Sequence, residues 1–261
     1  MNIVKKLKNL IKRLIKKSIL KKDDIIFATF PKSGTTWFRF IWNNIISIIE
    51  FDGMEIDYHK LNGDFKGSID SNTRPSVLYN SLPVLMPTHR IYKRPFYNKN
   101  KSIHLYRNIG DTMVSYFEYS RNLKGEKSFS GNFASFIRSN DHGISAWCKH
   151  FTYWNKNATL SISYEEMKTN TLLTIQNVFQ KLDIDSIDNS ILISAIRKSQ
   201  FNNIRKMELE SGKDEKAKNT LKSNFVFARK GEVGQWVEYF SKEDIIYTND
   251  ILSLYSINIK L

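Results

Sequence analysis

The stretch of sequence that decides the fold is IIFATFPKSGTTW, residues 25–37. It opens with an apolar, β-prone run, passes through a turn with one glycine, and leads into an apolar helical pattern from Trp37 to Ile49. This order predicts a strand, a loop and a helix. Such a loop directs backbone N–H groups and the positive end of the helix dipole at one point, so residues 32–36 are suited to bind an anion.

The same order of elements recurs twice along the chain. A strand pattern at 102–107 precedes a helix pattern at 110–121, and a strand pattern at 158–164 precedes a helix pattern at 165–182. Strands that alternate with helices form parallel sheets covered on both faces. We therefore expect an α/β fold: a single P-loop-like domain whose central parallel β-sheet is flanked by helices on both faces.

The positive charge of the chain is concentrated at its start. The 261 residues include 40 Lys and Arg against 26 Asp and Glu, a net charge of +14. Nine basic residues and no acidic residue fall in residues 1–22, whose apolar side chains gather on one side of a helix. This predicts a basic amphipathic helix, followed by a domain over residues 23–261. Two interpretations stay open for the helix: it lies on an anionic membrane surface, or it packs on its own domain.

Composition excludes several classes of protein and of site. Hydrophobic residues make up 41% of the chain, which excludes a disordered protein, and a single cysteine, Cys148, cannot form an internal disulfide. No apolar run is long enough to span a bilayer, and no secretory signal is visible. The five histidines lack metal-ligand spacing, so no metal is expected. We expect a cytoplasmic protein, with membrane association left open and no nucleic-acid partner.

The turn KSGTT at residues 32–36 differs from the loop of ATP-dependent P-loop kinases, G-x-x-x-x-G-K-[ST]. It holds one glycine, and its lysine precedes that glycine, so a kinase is only a remote alternative. Taken alone, KSGTT is also compatible with helix-capping hydroxyls and a solvated lysine. A non-enzymatic, basic membrane-binding protein is the other remote alternative, and it rests on residues 1–22 alone.

The longer segment FATFPKSGTTW closely resembles the 5'-phosphosulfate loop of the sulfotransferases that use 3'-phosphoadenosine 5'-phosphosulfate (PAPS). Four further segments resemble motifs of that family, in the family's order: YRNIGDTMVSYFEY, SYEEM, SQFNNIRK and FARKGEVGQW. The resemblance extends from about residue 24 to about residue 240. It implies an enzyme that moves a sulfuryl group from PAPS to an acceptor, releases PAP, the 3',5'-bisphosphate of adenosine, and needs no metal or redox cofactor.

The resemblance also implies which residues bind the donor. A donor that is anionic at both ends requires two separate clusters of basic and hydroxyl-bearing residues. The candidates in and beside the loop are Lys32, Ser33, Gly34, Thr35, Thr36 and Trp37. The candidates around the 3'-phosphate and the adenosine are Arg107, Ser115, Tyr164, Ser199, Phe201, Arg229, Lys230 and Gly231.

Three residues are candidates for catalysis. His89, in VLMPTH, has the position that resembles the family's catalytic histidine, and we expect it to act as the general base. Lys32 would neutralise the charge that builds on the leaving phosphate. Ser115 would restrain Lys32 until the acceptor arrives, a role that the resemblance alone implies.

The sequence departs from the family pattern at two places. Many members have a lysine two residues before the catalytic histidine, and this chain has Pro87 there. Arg90 and Lys93 are the candidates to supply that charge. The dimerisation stretch of animal cytosolic members has no match at residues 237–246, so dimerisation through that element is not expected.

The acceptor is expected to be a small molecule with a hydroxyl or amine, bound by four loops at residues 52–82, 91–99, 122–150 and 206–224, the last acting as a lid. The aromatic residues of these loops predict a partly apolar pocket: Tyr58, Tyr92, Phe96, Tyr97, Phe129 and Phe133. A membrane lipid or glycolipid is the alternative acceptor, because the basic N-terminal helix could bring the enzyme to a membrane.

Overall fold

A four-stranded parallel sheet forms the centre of the protein. The computed structural model describes residues 19–91, 100–211, 219–222, 225–259 and 261. The strands are β1 (Ile25–Thr29), β2 (Leu85–Thr88), β3 (Ser102–Tyr106) and β4 (Leu160–Ser163). Their spatial order is β2-β1-β3-β4, and all three pairings are parallel. Phe27 of β1 lies opposite Pro87 on one side and Ile103 on the other, so Pro87 occupies an edge strand, where a missing N–H is tolerated.

Helices follow β1, β3 and β4, whereas within the described residues no helix lies between β2 and β3. The helices in the described residues are α1 (Thr35–Glu50), α2 (Tyr58–Asn62), α3 (Ile109–Arg121), α4 (Phe133–Ile137), α5 (Ile144–Asn157), α6 (Tyr164–Thr169), α7 (Thr171–Lys181), α8 (Asn189–Lys198), α9 (Phe201–Ser211) and α10 (Lys242–Leu254). Two short 3₁₀ helices lie at Gly125–Lys127 and Gln235–Glu238.

The core lies on both faces of the sheet, because successive side chains of a strand point to opposite faces. Ile25 and Phe27 belong to one apolar cluster, which also contains buried residues of α1, α7 and α8. Ile26 and Ala28 belong to another, together with Trp154 of α5. All five residues of β1 are buried, as expected for a central parallel strand. The predicted α/β fold, with helices on both faces of a parallel sheet, is confirmed.

One helix predicted over 165–182 is two helices in the structure. The chain breaks at Asn170, whose backbone leaves the helical region at φ −145° and ψ 79°. The Asn170 side chain accepts a hydrogen bond from the backbone N–H of Leu173 at 3.2 Å and so caps α7. Asparagine competes with the helix in this way because its short side chain reaches nearby backbone groups.

Residues 19 and 20 contact the predicted domain. Ile19 and Leu20 pack against the cluster on the α5 face of the sheet. Arg74 donates to the backbone oxygen of Ile19 at 2.6 Å and forms an ion pair with the buried Asp24. The rest of the predicted amphipathic helix, residues 1–18, lies outside the described residues. No helix in the described part of the chain is long and apolar enough to cross a membrane.

The strand order determines how the predicted site residues are arranged. The carboxyl ends of parallel strands meet at one edge of a sheet. His89 follows β2, Lys32 follows β1, Arg107 follows β3, and Tyr164 follows β4. Across this edge the order is therefore His89, Lys32, Arg107 and Tyr164.

We expect Trp42→Ala to destabilise the fold by about 3–5 kcal/mol, because it removes a large buried ring. Trp42 is 1% exposed, its ring centroid lies 5.8 Å from that of Phe38 and 5.7 Å from that of Phe179, and its Nε1 donates to the Pro83 oxygen. Urea unfolding measures the loss. Leu254→Ala, at a side chain that is 78% exposed, is the control, and an equal loss in both variants would contradict the expectation.

Candidate active site

A cavity of about 550 Å³ opens where the four strands end. It brings together residues that are distant in sequence, with His89 and Lys32 at one part of the wall and Arg107 and Tyr164 at another. The predicted site residues that line it are Lys32, Gly34, Thr35, Thr36, Trp37, His89, Arg107, Ser115, Tyr164, Phe201, Arg229, Lys230 and Gly231.

The loop between β1 and α1 closes one end of this cavity. Gly34 precedes the first residue of α1 and has φ +104°, a conformation that favours glycine. A Cβ built on Gly34 would lie 2.8 Å from the Tyr164 ring, so the side chain must be absent for the loop to pack. The hydroxyl of Thr29, at the end of β1, lies 2.7 Å from that of Thr35. The Ser33 hydroxyl is buried in the loop and has no hydrogen-bond partner in the described structure.

The ammonium group of Lys32 lies among three aromatic rings. Its Nζ is 5.0 Å from the ring centroid of Tyr119, 5.4 Å from that of Phe227 and 5.9 Å from that of Phe225. Each ring attracts a cation through its quadrupole, by about 0.5–2 kcal/mol. Lys32 is therefore held by ring faces rather than by a direct ion pair in the described structure.

Burial lowers the pKa of Lys32 to about 8. The carboxylate of Glu208 raises this pKa, and the guanidinium groups of Arg107 and Arg229 lower it. Lys32, Arg107 and Arg229 thus bring three cations to one cavity. Among the charged groups that shift the pKa of Lys32, Glu208 is the single carboxylate. An anionic ligand would stabilise this arrangement.

Arg107 stands at the end of β3 and is held from three directions. It is 8% exposed, donates to the backbone oxygen of Glu232 at 2.6 Å, and lies 3.6 Å from the carboxylate of Asp111. Its guanidinium carbon lies 4.5 Å from the ring centroid of Tyr164. Its Nε is buried and has no hydrogen-bond partner among the described residues. Arg107 therefore keeps at least one N–H donor that the described residues do not use.

Two buried carboxylates hold the segment that follows α9. Glu208 accepts the backbone N–H groups of Phe227 at 2.6 Å and Ala228 at 2.9 Å. Asp111 accepts those of Gly234 at 2.8 Å and Trp236 at 3.2 Å. Residues 229–231 lie between these two anchors and line the cavity.

Gly231 completes the wall opposite the loop. Its backbone oxygen accepts hydrogen bonds from the Tyr164 hydroxyl at 3.2 Å and from Lys168 Nζ at 2.6 Å. A Cβ built on Gly231 would lie 2.6 Å from the Phe201 ring. Lys32 and Arg107 place cations at two points of the cavity wall, and the wall packs closely at Gly34 and Gly231. These features fit a ligand that is anionic at both ends, as PAPS is.

His89 lies on the other side of Lys32, at the end of the edge strand. Its Nδ1 is 2.8 Å from the backbone oxygen of Thr29 and 3.1 Å from the Thr29 hydroxyl. Its backbone N–H donates to the carboxylate of Asp70 at 2.7 Å. The ring is thus held at Nδ1, and His89 contributes to the cavity wall.

Comparison with known proteins agrees with this geometry. Residues 22–253 match the family model described as Sulfotransferase domain. The chain is 26% identical over 254 residues to Sulfotransferase 2A2 of Rattus norvegicus, covering 90% of this chain and 84% of the relative. It is 29% identical over 251 residues to Sulfotransferase 2A6 of Mus musculus, with 90% and 84% covered. The crystal structure of mouse sulfotransferase SULT7A1 complexed with PAP has a TM-score of 0.65 at 23% identity, covering 94% of this chain and 90% of that one.

The chain belongs to the sulfotransferase family. It is a sulfotransferase enzyme, and the family and enzyme class predicted from the sequence are confirmed.

Two predicted donor-binding residues of the sulfotransferase lie outside the cavity wall. Ser33 is buried in the loop, beneath the residues that line the cavity. Ser199 is 0% exposed, its hydroxyl donates to the Ala195 oxygen at 2.8 Å, and it accepts from Asn44 Nδ2 at 3.0 Å. The hydroxyl of Ser199 is therefore used within the fold.

Of the residues predicted around the acceptor, some line the cavity and others do not. Tyr58 lines the cavity, whereas Phe129 and Phe133 pack in the apolar cluster around α3 and α4. Arg90, a candidate for the missing family lysine, is 60% exposed and pairs with Asp70. The remaining predicted residues lie outside the described part of the chain: Tyr92, Lys93, Phe96 and Tyr97.

Several residues that line the cavity were not predicted from the sequence: Pro31, Arg39, Tyr116, Tyr119, Lys168, Ile204, Phe227, Ala228 and Gln235. Helical spacing could have found some of them. Tyr119 lies one turn after Ser115, and Lys168 lies one turn after Tyr164, on the same helix faces.

We expect Gly231→Ala to weaken PAP binding by about tenfold or more, because the new methyl group must displace the Phe201 ring from the cavity wall. Gly125→Ala is the matched control. Gly125 has nearly the same backbone angle, φ +65° against +66°, but a Cβ there meets nothing within 4 Å. Both variants should lose about 1–2 kcal/mol of stability through the left-handed backbone. Calorimetry measures the loss of PAP binding, and thermal unfolding measures the loss of stability. Equal PAP affinities of the two variants would show that the contact of Gly231 with the Phe201 ring is unimportant for binding.

We expect PAP affinity to fall as the pH rises above 8. Lys32 is charged below its pKa of about 8 and neutral above it, and the anionic ligand favours the charged form. The dissociation constant should therefore rise by up to about tenfold per pH unit between pH 8 and 9.5. Lys32→Arg should bind PAP with a flat profile, since a guanidinium stays charged over this range. Parallel profiles for the two proteins would rule out Lys32 as the titrating group.

Proposed function

We propose that this sulfotransferase transfers the sulfuryl group of PAPS to a hydroxyl or amine of a small-molecule acceptor, with His89 as the general base. The observation that carries the proposal is that His89, Lys32 and Arg107 line one cavity, with His89 and Arg107 on opposite sides of the loop that holds Lys32. A base and an activated donor must share such a space for a direct transfer.

The contacts of His89 support its role as the base. A backbone carbonyl can only accept a hydrogen bond, so the contact with the Thr29 oxygen assigns the ring proton to Nδ1. Nε2 then carries the lone pair and can accept the proton of the acceptor hydroxyl as its oxygen bonds to sulfur. Asp70 fixes the backbone of His89 through its N–H group. General-base catalysis of this kind contributes about 100- to 10,000-fold.

The loop and Lys32 would stabilise the charge of the leaving group. PAPS, when bound, supplies a sulfuryl group that is activated by its attachment to the 5'-phosphate. The start of α1 offers N–H groups and the positive end of its dipole to that phosphate, and Lys32 offers a movable cation. We propose that Ser115, which lines the same cavity, restrains Lys32 until the acceptor is present.

The second cluster would hold the other end of the donor. Arg107, Arg229 and Lys230 bring three cations to the wall on the β3 and β4 side. Trp37 and Tyr164 provide an aromatic surface beside them, with ring centroids 5.4 Å apart. We assign the 3'-phosphate to these cations and the adenine to the aromatic rings, where stacking and cation–π contacts are both available.

Some expectations stay predictions. The family assignment removes the kinase and the non-enzymatic alternatives. A lipid or glycolipid acceptor depends on membrane binding by residues 1–22, most of which lie outside the described residues. The boundary at residue 23, the cytoplasmic location and the lid at 206–224 are likewise untested, although the buried Glu208 ties the start of that segment to the cavity wall.

We expect His89→Ala to retain PAP binding but to transfer labelled sulfate from PAPS about 100- to 10,000-fold more slowly, because the proton acceptor is gone. Turnover is measured with phenols and primary amines as acceptors, and PAP affinity by calorimetry. His59→Ala, at an exposed histidine of α2, is the matched control and should react normally.

Undiminished turnover in His89→Ala would remove this residue from the mechanism. The same calorimetry checks the donor assignment, since the cations at the β3 and β4 side should make PAP bind much more tightly than adenosine 5'-phosphate. Equal affinities would contradict a site for the 3'-phosphate.

A further inference from the structure

Arg39 is a cavity-lining cation that the proposed mechanism does not use. It lies on α1 and faces α2, where its guanidinium donates to Asn62 Oδ1 at 3.2 Å and to the backbone oxygen of Leu61. Both acceptors are neutral. Within the described residues, Arg39 forms no ion pair with a carboxylate.

The charge of Arg39 is poorly compensated where it lies. Burial lowers its pKa to about 10, so the group remains cationic at neutral pH in spite of its surroundings. The two hydrogen bonds use two of its five N–H donors, which leaves donors for the cavity. A buried cation that faces a cavity without a carboxylate is stabilised when an anionic ligand enters.

The position of Arg39 assigns this anion to the acceptor and not to the donor. At about 100° per residue, Arg39 lies about 200° around α1 from Trp37, which packs on Tyr164 at the end of β4. Arg39 instead contacts α2, which precedes β2, and β2 leads to His89. The arginines whose charges act on Lys32 are Arg107 and Arg229, so Arg39 stands apart from the donor cluster.

Aromatic side chains link the helix that Arg39 contacts, α2, with the reacting end of the cavity. Tyr58 begins α2 and stacks on Phe227, with ring centroids 6.4 Å apart. Phe227 is one of the rings around Lys32. An acceptor that extends along these side chains would place one end at Arg39 and the other beside Lys32 and His89.

We infer that Arg39 binds a carboxylate of the acceptor, so that the natural substrate is a hydroxylated organic acid rather than a neutral alcohol. This inference rests on the proposed transfer to a small-molecule acceptor. The fork of the guanidinium matches two carboxylate oxygens, and the aromatic side chains that link α2 with Lys32 suit an apolar or aromatic spacer. Arg39 would thus select the acceptor and fix the direction in which it enters.

The test measures binding of 4-hydroxybenzoate and 4-hydroxyphenylacetate, and of their neutral methyl esters, to the full chain with and without PAP. We expect each acid to bind about tenfold or more tightly than its ester, the usual scale of a charge-assisted contact. Arg39→Gln should remove this preference by weakening only the acids. Arg39→Lys keeps the positive charge but lacks the forked guanidinium donors, so it should retain part of the preference for acids. Arg121→Gln, at an arginine that is 54% exposed and paired with Glu118, is the matched control.

Three results would overturn the inference: esters that bind as tightly as acids, a preference that survives in Arg39→Gln, or acids that do not bind at all. Unchanged thermal unfolding and PAP affinity show that a variant is folded. If Arg39→Gln fails to fold, Arg39→Lys decides, because a purely structural role would weaken acids and esters equally. Transfer of labelled sulfate to the same compounds is scored separately. If no sulfate is transferred but acids still bind more tightly than esters, the proposed function is refuted and the inference about the carboxylate site stands.

Discussion

The pairing of β1 with a parallel strand on each side determines where the parts of the candidate site lie. Because β1 is buried along its whole length, it can be accommodated only at the centre of the sheet, between β2 and β3. Parallel pairing then brings the ends of all four strands to one edge. Lys32, which follows the central strand, is flanked by His89 on one side and by Arg107 on the other. The separation of a proton acceptor from the donor cluster is thus a consequence of strand order.

A second constraint is the pair of buried carboxylates that hold the C-terminal segment. Glu208 accepts two backbone N–H groups before residues 229–231, and Asp111 accepts two after them. Hydrogen bonds to a charged group are worth about 1.5–3 kcal/mol each, more than ordinary backbone bonds. Asp111 also lies 3.6 Å from Arg107, so one carboxylate orients the cation of β3 and the segment that packs over it. This arrangement keeps the basic residues of the segment beside the cavity before a ligand binds.

Most of the fold could be predicted because it depends on local patterns. The strand predicted at 102–107 and the helix predicted at 110–121 differ from the observed bounds by only one residue at an end. The break at Asn170 was not predicted, since a helix-like apolar pattern continues through it. Whether such an asparagine caps a helix or lies within one depends on the packing of the helices on both sides. Hydrophobic periodicity carries no signal of that choice.

For the site, the sequence by itself determined the chemistry: a phosphate-binding loop, a second basic cluster and a histidine, in the order of a sulfotransferase. The tertiary structure decided which side chains face the cavity. It turned the hydroxyl of Ser199 into the fold and brought the unpaired charge of Arg39 to the wall. The physical reason is that a motif records residue type and local backbone. The direction of a side chain is set by contacts with elements far away in sequence, such as α2 for Arg39 and α1 for Ser199.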